Sequence, residues 1–224
     1  MNKKLLSVAA VAGLLGVLNL MSHAEQRGQA PFKSLVSPVS CAQPQWPDEA
    51  RRYEIEGVTT IRFQIGEDGK VVRPEVSQGS GWKILDDAAI RGISRCVFQP
   101  HLDEAKSGAS FPMQFVWQFS DGPAVRPRLV ADSCQASDRF GGFKEFDRRP
   151  SGNDGILLRF LVNSDGAPIR VVAEPSGQAP DVVAQAAAYL QSCRFAIDPQ
   201  LPGQHTDTAF GRVLLSQARS RGQD

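Results

Sequence analysis

Apolar residues along this chain are spaced in three ways. Residues 5–21 are apolar almost without a break, apart from Ser7 and Asn19. Over residues 58–65 they alternate: Ile61, Phe63 and Ile65 fall on one side, Val58, Thr60, Arg62 and Gln64 on the other, the two-residue period of a strand. Over 83–97 they stand at 84, 85, 88, 89, 93, 96 and 97, the stripe of an amphipathic helix. Asp86 and Asp87 in its first turn and Arg91 and Arg95 in later ones suit the helix dipole. Alternation returns at Met113, Phe115, Trp117 and Phe119, with Gln114, Val116 and Gln118 between them, predicting a long strand with a strongly apolar inner face.

Punctuation between these segments is equally informative. Trp46-Pro47-Asp48-Glu49 predicts a short helix with proline in its first turn and acids behind it. Glu67-Asp68-Gly69 predicts a hairpin turn, residues 70–77 its returning strand, and Gly79-Ser80-Gly81 the break before the long helix.

The same plan then recurs. Arg62 and Arg159, Phe63 and Phe160, Gly69 and Gly166, Cys96 and Cys193, and Phe98 and Phe195 are all separated by 97 positions. Five matches in one order at one offset indicate a duplication, and two copies are too few for a solenoid. The second copy predicts a strand at 155–163, a turn at Asn163-Ser164-Asp165-Gly166, a strand at 167–174, a helix at about 180–193 and a strand at about 207–216. Its opening helix is unclear, because Pro150-Ser151-Gly152-Asn153 is a turn. The expected fold is α+β: two tandem small domains, each a helix packed on a small antiparallel sheet in the order α-β-β-α-β. The expected boundaries are a leader at 1–24, a flexible arm at 25–40, domains at 41–120 and 134–218, a Pro/Gly linker at 121–133 and a tail at 219–224.

Lys3 and Lys4 precede the apolar run, and Ser22-His23-Ala24 ends in the small-x-small pattern of a cleavage site. The segment reads as a cleavable signal peptide and the mature chain as periplasmic. The rival reading is a retained inner-membrane anchor, for which the run has only the minimum spanning length. No cysteine follows the run, which argues against a lipid anchor.

The four cysteines allow three pairings. The repeat favours Cys41 with Cys96 and Cys134 with Cys193, one bridge per copy; four free thiols fit an oxidising compartment poorly. Each bridge would close a loop of nearly sixty residues, worth about 4 kcal/mol in the chain-entropy model.

Net charge is +1 and the pI about 7.7, so the chain as a whole attracts neither nucleic acid nor a charged membrane. Catalytic signals fail on inspection. Ser80-x-x-Lys83 and Lys106-Ser107-Gly108 resemble two elements of penicillin-recognising enzymes, but only 22 residues separate them and the third element is missing. Ser80 reads as a turn or cap residue and Lys83 as solvent-facing. His101 and His205 have no nucleophile at a recurring spacing, the Asp-Gly pairs lack the further acids of a calcium loop, and no glycine-rich phosphate loop is present. No enzyme, metal or cofactor is expected.

Residues 41–120 resemble the C-terminal domain of the TonB family of energy-transducing proteins. The residues that carry this are Trp46-Pro47, Ala50, Glu56-Gly57, Asp68-Gly69, Gly79-Ser80-Gly81, Leu85-Asp86, Ala88-Ala89, Phe98-x-Pro100 and the closing strand over 115–119. The family has Tyr-Pro at the first position and Ser-Ser-Gly before the helix. The second copy keeps Asp165-Gly166, Ser176-Gly177, Phe195 and Pro199 and is a diverged member of the pattern.

The resemblance implies a peptide clip, in which an extended segment of an outer-membrane transporter adds beside the last strand of the sheet. Carried over, the first edge is Met113, Gln114, Phe115, Val116, Trp117, Gln118 and Phe119. The second is Phe210, Arg212, Val213 and Leu214. Two copies pairing edge to edge would hide both. Between the leader and the first copy lie about 16 residues, reaching at most ~55 Å, a poor fit to a transducer that crosses between two membranes. The expected function is therefore a non-catalytic, exported protein capturing extended segments of envelope proteins, with a TonB-dependent outer-membrane transporter as one such partner. A membrane-anchored transducer, or a structural envelope factor with closed sheet edges, are the alternatives. Oligomeric state is left open.

Overall fold

A computed structural model describes residues 32–34, 38–100, 107–119, 122 and 124–216; the leader and tail lie outside the described residues. In chain order the elements are β1 (Phe32–Ser34), β2 (Pro38–Ser40), α1 (Asp48–Arg52), β3 (Gly57–Ile65), β4 (Val71–Gln78), α2 (Lys83–Ile93), β5 (Val97–Phe98) and β6 (Phe111–Trp117). They continue as β7 (Arg128–Leu129), β8 (Phe140–Glu145), β9 (Gly155–Val162), β10 (Pro168–Ala173), α3 (Pro180–Ser192), β11 (Phe195–Ala196) and β12 (Thr208–Leu215). Two four-stranded antiparallel sheets result, in the orders β1-β6-β3-β4 and β10-β9-β12-β8, each accompanied by a two-stranded pair, β2-β5 and β11-β7. None of the described helices is long and apolar enough to cross a membrane.

In the first half the alternation of β3 and β6 puts Ile61, Phe63, Ile65, Met113, Phe115 and Trp117 against the buried stripe Leu85, Ala88, Ala89 and Ile93 of α2. The helix is shorter than its apolar stripe. It stops at Ile93, Ser94 bonds back to the Ile90 carbonyl through its hydroxyl at 2.7 Å, and Cys96 and Phe98 are buried from a turn and from β5 instead. The hairpin turn is fixed by Gly69 at φ 78°, where an added Cβ would run into the Phe98 carbonyl, while the Phe98 N–H donates to the Gly69 carbonyl at 2.8 Å. Only glycine combines that positive φ with so close an approach.

The second half repeats this geometry. Gly166 has φ 75°, its missing Cβ faces the Phe195 carbonyl, and the Phe195 N–H donates to the Gly166 carbonyl at 2.8 Å. The disulfides are Cys41–Cys96 and Cys134–Cys193, one per half. Phe140, Ile156, Leu158 and Phe160 pack on Val182, Ala186 and Leu190 of α3.

Three expectations need correction. The arm over 25–40 carries two strands, β1 and β2, within its described part. The linker over 121–133 carries β7, which pairs with β11 as β2 pairs with β5. The second half has no opening helix; strand β8 stands there, so the α-β-β-α-β order holds for the first half only. Phe140-Gly141-Gly142-Phe143 cannot favour a helix, since two adjacent glycines cost about 1 kcal/mol each there.

The halves are docked face on edge elements, not sheet edge to sheet edge. Ile156, Leu158 and Phe160 of β9 point to α3, whereas Leu157 and Leu161 enter the core of the first half, with Phe210 packed beside them. Trp82, fully buried, meets Phe210 edge-on at 5.4 Å between ring centroids. Around this apolar contact runs a polar network. Arg159 is 5% exposed and pairs with Glu49 at 2.7 Å and with the buried Glu174. Glu174 also accepts the Lys83 N–H at 3.0 Å. Tyr53 donates its hydroxyl to the Arg170 carbonyl at 2.8 Å, and Arg52 pairs with Asp207 at 2.7 Å. The equivalent face of the first sheet, with Val58 39% exposed and Arg62 outward, has no such cover among the described residues.

Candidate functional site

An edge strand offers unpaired backbone N–H and C=O groups, so the state of the two closing strands decides what each half can bind. Strand β6 pairs on one side with β3 over seven registered positions, Gly57↔Trp117 to Phe63↔Phe111. Its other side, the expected peptide edge, pairs with β1: Phe32 opposite Phe115, Lys33 opposite Gln114 and Ser34 opposite Met113. The edge does receive an extended segment, and that segment is the chain's own. Met113, Phe115 and Trp117 are buried; Gln114 and Val116 are half-buried and Gln118 exposed. Beyond the strand, the Phe119 N–H donates to Glu56 Oε1 at 2.8 Å and its ring lies 4.3 Å from that of Trp46. The end of β6 is thus anchored.

The second expected edge is not one. Strand β12 lies between β9 and β8, with Gly211↔Glu145 to Leu214↔Gly142 in register on the outer side and a shift before Leu215↔Phe140. Phe210 packs on Trp82, Val213 is fully buried and Leu214 is half-buried. Arg212, 1% exposed, ties β12 to the turn before β9: it donates to Asp154 Oδ1 and the Gly155 carbonyl at 2.9 Å each, to the Arg149 carbonyl at 2.6 Å and to the Pro150 carbonyl. A buried guanidinium whose donors meet main-chain carbonyls is a structural device. The placement of Phe210, Arg212, Val213 and Leu214 at a free edge is therefore corrected. The sequence signal missed was the phenylalanine series Phe140, Phe143 and Phe146, which keeps β8 against β12 and the second core.

Ion pairs form both within the second half and between the halves. Arg149 bonds to Asp147 through its side chain and holds that carboxyl down to about 2, against the ordinary aspartate value. The Arg52 guanidinium lowers Asp207 in the same way. Burial lowers Arg126, although it contacts Glu54 at 3.6 Å and its guanidinium lies 5.5 Å from the Phe210 ring centre. A cleft of about 630 Å³ opens beside this arginine, lined among others by Arg51, Arg52, Glu54, Glu56 and Phe119. Arg126 pairs there with Glu54 and Arg51 with Asp48, Arg52 is taken by Asp207, and Glu56 accepts the Phe119 N–H, so the lining presents both signs of charge.

Ser80 and Lys83 serve the turn and helix. The Ser80 hydroxyl exchanges hydrogen bonds with the Trp82 main chain at 3.1 Å, and Lys83 pairs with Asp87 at 2.6 Å on the surface. Asp86 accepts from the Ser80 N–H and the Thr59 hydroxyl at 2.8 Å each, which fixes the Gly79-Ser80-Gly81 loop. His205 contacts the Leu201 carbonyl at 2.9 Å, and His101 lies outside the described residues.

Residues 42–119 match the family model for the Gram-negative bacterial TonB protein C-terminal. Protein TonB of Pseudomonas putida is 33% identical over 84 residues, which cover 31% of this chain and 34% of that protein. The chain thus spans about a third of the length of this curated relative. A solution NMR structure of the Pseudomonas aeruginosa TonB CTD is similar over 39% of this chain and 90% of that one, at 19% identity and a TM-score of 0.32. With the sheet of β6, β3 and β4 packed on α2 and its closing strand taking up an extended segment, residues 42–119 are a domain of the TonB C-terminal family.

Proposed function

We propose that the protein is a non-catalytic, exported periplasmic binding protein that captures extended segments of envelope proteins by adding them as a strand to β6. One observation carries this reading: β6 already pairs with residues 32–34 as an added antiparallel strand, as it would with a peptide. Main-chain pairing supplies affinity without demanding a particular sequence, and alternate side-chain contacts supply the selectivity. The family match makes an outer-membrane transporter segment a partner of the right class, and two disulfides suit an oxidising compartment. The leader at 1–24, on which export or anchoring turns, is outside the described residues.

The second half is best read as a diverged copy whose binding edge has been closed. Its turn glycine, its helix and the second cysteine of its disulfide recur 97 residues on, while β8 covers β12. That cover favours a supporting role for this half.

The test is photo-crosslinking in the native cell with the probe at Gln114 or Gln118. Trapping at β6 of an extended stretch of an envelope protein, mapped by mass spectrometry, is the expected result. Crosslinks confined to residues of this chain would defeat the binding role.

A further inference from the structure

We infer that residues 32–34 are a built-in competitor for β6, a strand that a partner segment must displace before it binds. The inference rests on the reading of β6 as a peptide edge. Strand β1 pairs antiparallel, with three consecutive residues opposite Met113, Gln114 and Phe115 at the middle of β6.

The arm is held there from one end. Three residues after β1 the chain enters β2, which pairs with β5, and Cys41 is bound to Cys96 in the core. A strand tethered that closely to its site meets it at an effective concentration of millimolar or more, without new contacts. The pairing itself is short. Each backbone hydrogen bond contributes about 0.5–1.5 kcal/mol net, and a strand of three residues has few of them. Strand β3, by contrast, pairs with β6 over seven registered positions and belongs to the core. The two neighbours of β6 are therefore unequal: one is permanent and the other removable.

A site closed for nine-tenths of the time loses about tenfold in apparent affinity, since only the open fraction binds. The arm thereby raises the threshold for capture. Segments longer than three residues, which pair with more of β6, outcompete it; incidental short strands do not.

The experiment compares the full chain with the full chain carrying Lys33→Pro and Ser34→Pro. Adjacent prolines remove both N–H groups, so whichever one faces β6 is lost. The probe is a synthetic peptide with the sequence of residues 29–37, titrated while the amide signals of residues 113–117 are followed by NMR. The proline variant is expected to respond at about tenfold lower peptide concentration than the parent chain. Response of both chains at one concentration overturns the competitor and leaves the peptide edge standing. No response in either chain overturns the edge, and the competitor with it.

Discussion

Arg73 and Arg170 share a left-handed backbone, φ 50° and φ 49°, at the same place in the edge strands β4 and β10. They are 97 positions apart, the offset of the turn glycines, and each lies in a stretch where the strand slips register against its neighbour. A bulge at an arginine twists an edge strand and discourages pairing with another chain. In the first half Pro74 follows directly and removes one further donor.

Left-handed φ costs an L-residue about 1 kcal/mol, which glycine escapes. Arg73→Gly is expected to leave stability within about 0.5 kcal/mol of the parent or above it, and Arg73→Val to lower it by more than 1 kcal/mol. Urea denaturation of the two variants checks the order.

Removing Arg159 leaves Glu174 buried without its cation. Arg159→Leu is expected to cost about 3–5 kcal/mol, whereas Arg62→Leu, its exposed counterpart, stays within about 0.5 kcal/mol. Equal losses in denaturant midpoints would mean that the docked face contributes nothing.

Acid should weaken the fold, through Asp207 at the contact between the halves and through Asp147 within the second half. Asp147 and Asp207 titrate below the ordinary range in the folded chain, so their contribution is complete above about pH 4 and is lost as pH falls, for Asp147 through about 2. Arg149 is half exposed, which limits the Asp147 share to about 1–2 kcal/mol. Denaturant midpoints between pH 5 and 2 should fall, and Asp147→Asn should flatten that limb.

The Cys134–Cys193 bridge spans 59 residues of the second half. Cys134→Ser with Cys193→Ser is expected to cost about 2–5 kcal/mol and lower the melting temperature of the second half first. Hydrogen exchange, by residue, tells the halves apart.

Much of this architecture was legible because it depends on local rules. The hairpin glycines, the period of β3 and β6, the stripe of α2 and the repeat-favoured cysteine pairs all follow from short-range chemistry. The strands β1 and β8 were not legible. Phe32-Lys33-Ser34 is too short to show a period, and the Gly141-Gly142 pair hides the strand character of its neighbours. The docked face did leave a trace. Ile156-Leu157-Leu158, then Phe160-Leu161-Val162, is an apolar run with one arginine, the pattern of a strand covered on both sides. That pattern says a cover exists without saying which residues provide it. The candidate edge was legible only as a strand, since its occupant is decided by where the arm falls in three dimensions.

The order of the halves in the chain matters to how the molecule is made. The sheet containing Leu157 and Leu161 requires covering on two sides, and one of the covers is built by residues 46–82. Polypeptides emerge from their amino terminus onward, and domains fold as they emerge. The residues that build this cover are consequently made before the sheet that needs it, so the apolar face of β9 follows its partner surface out of the ribosome.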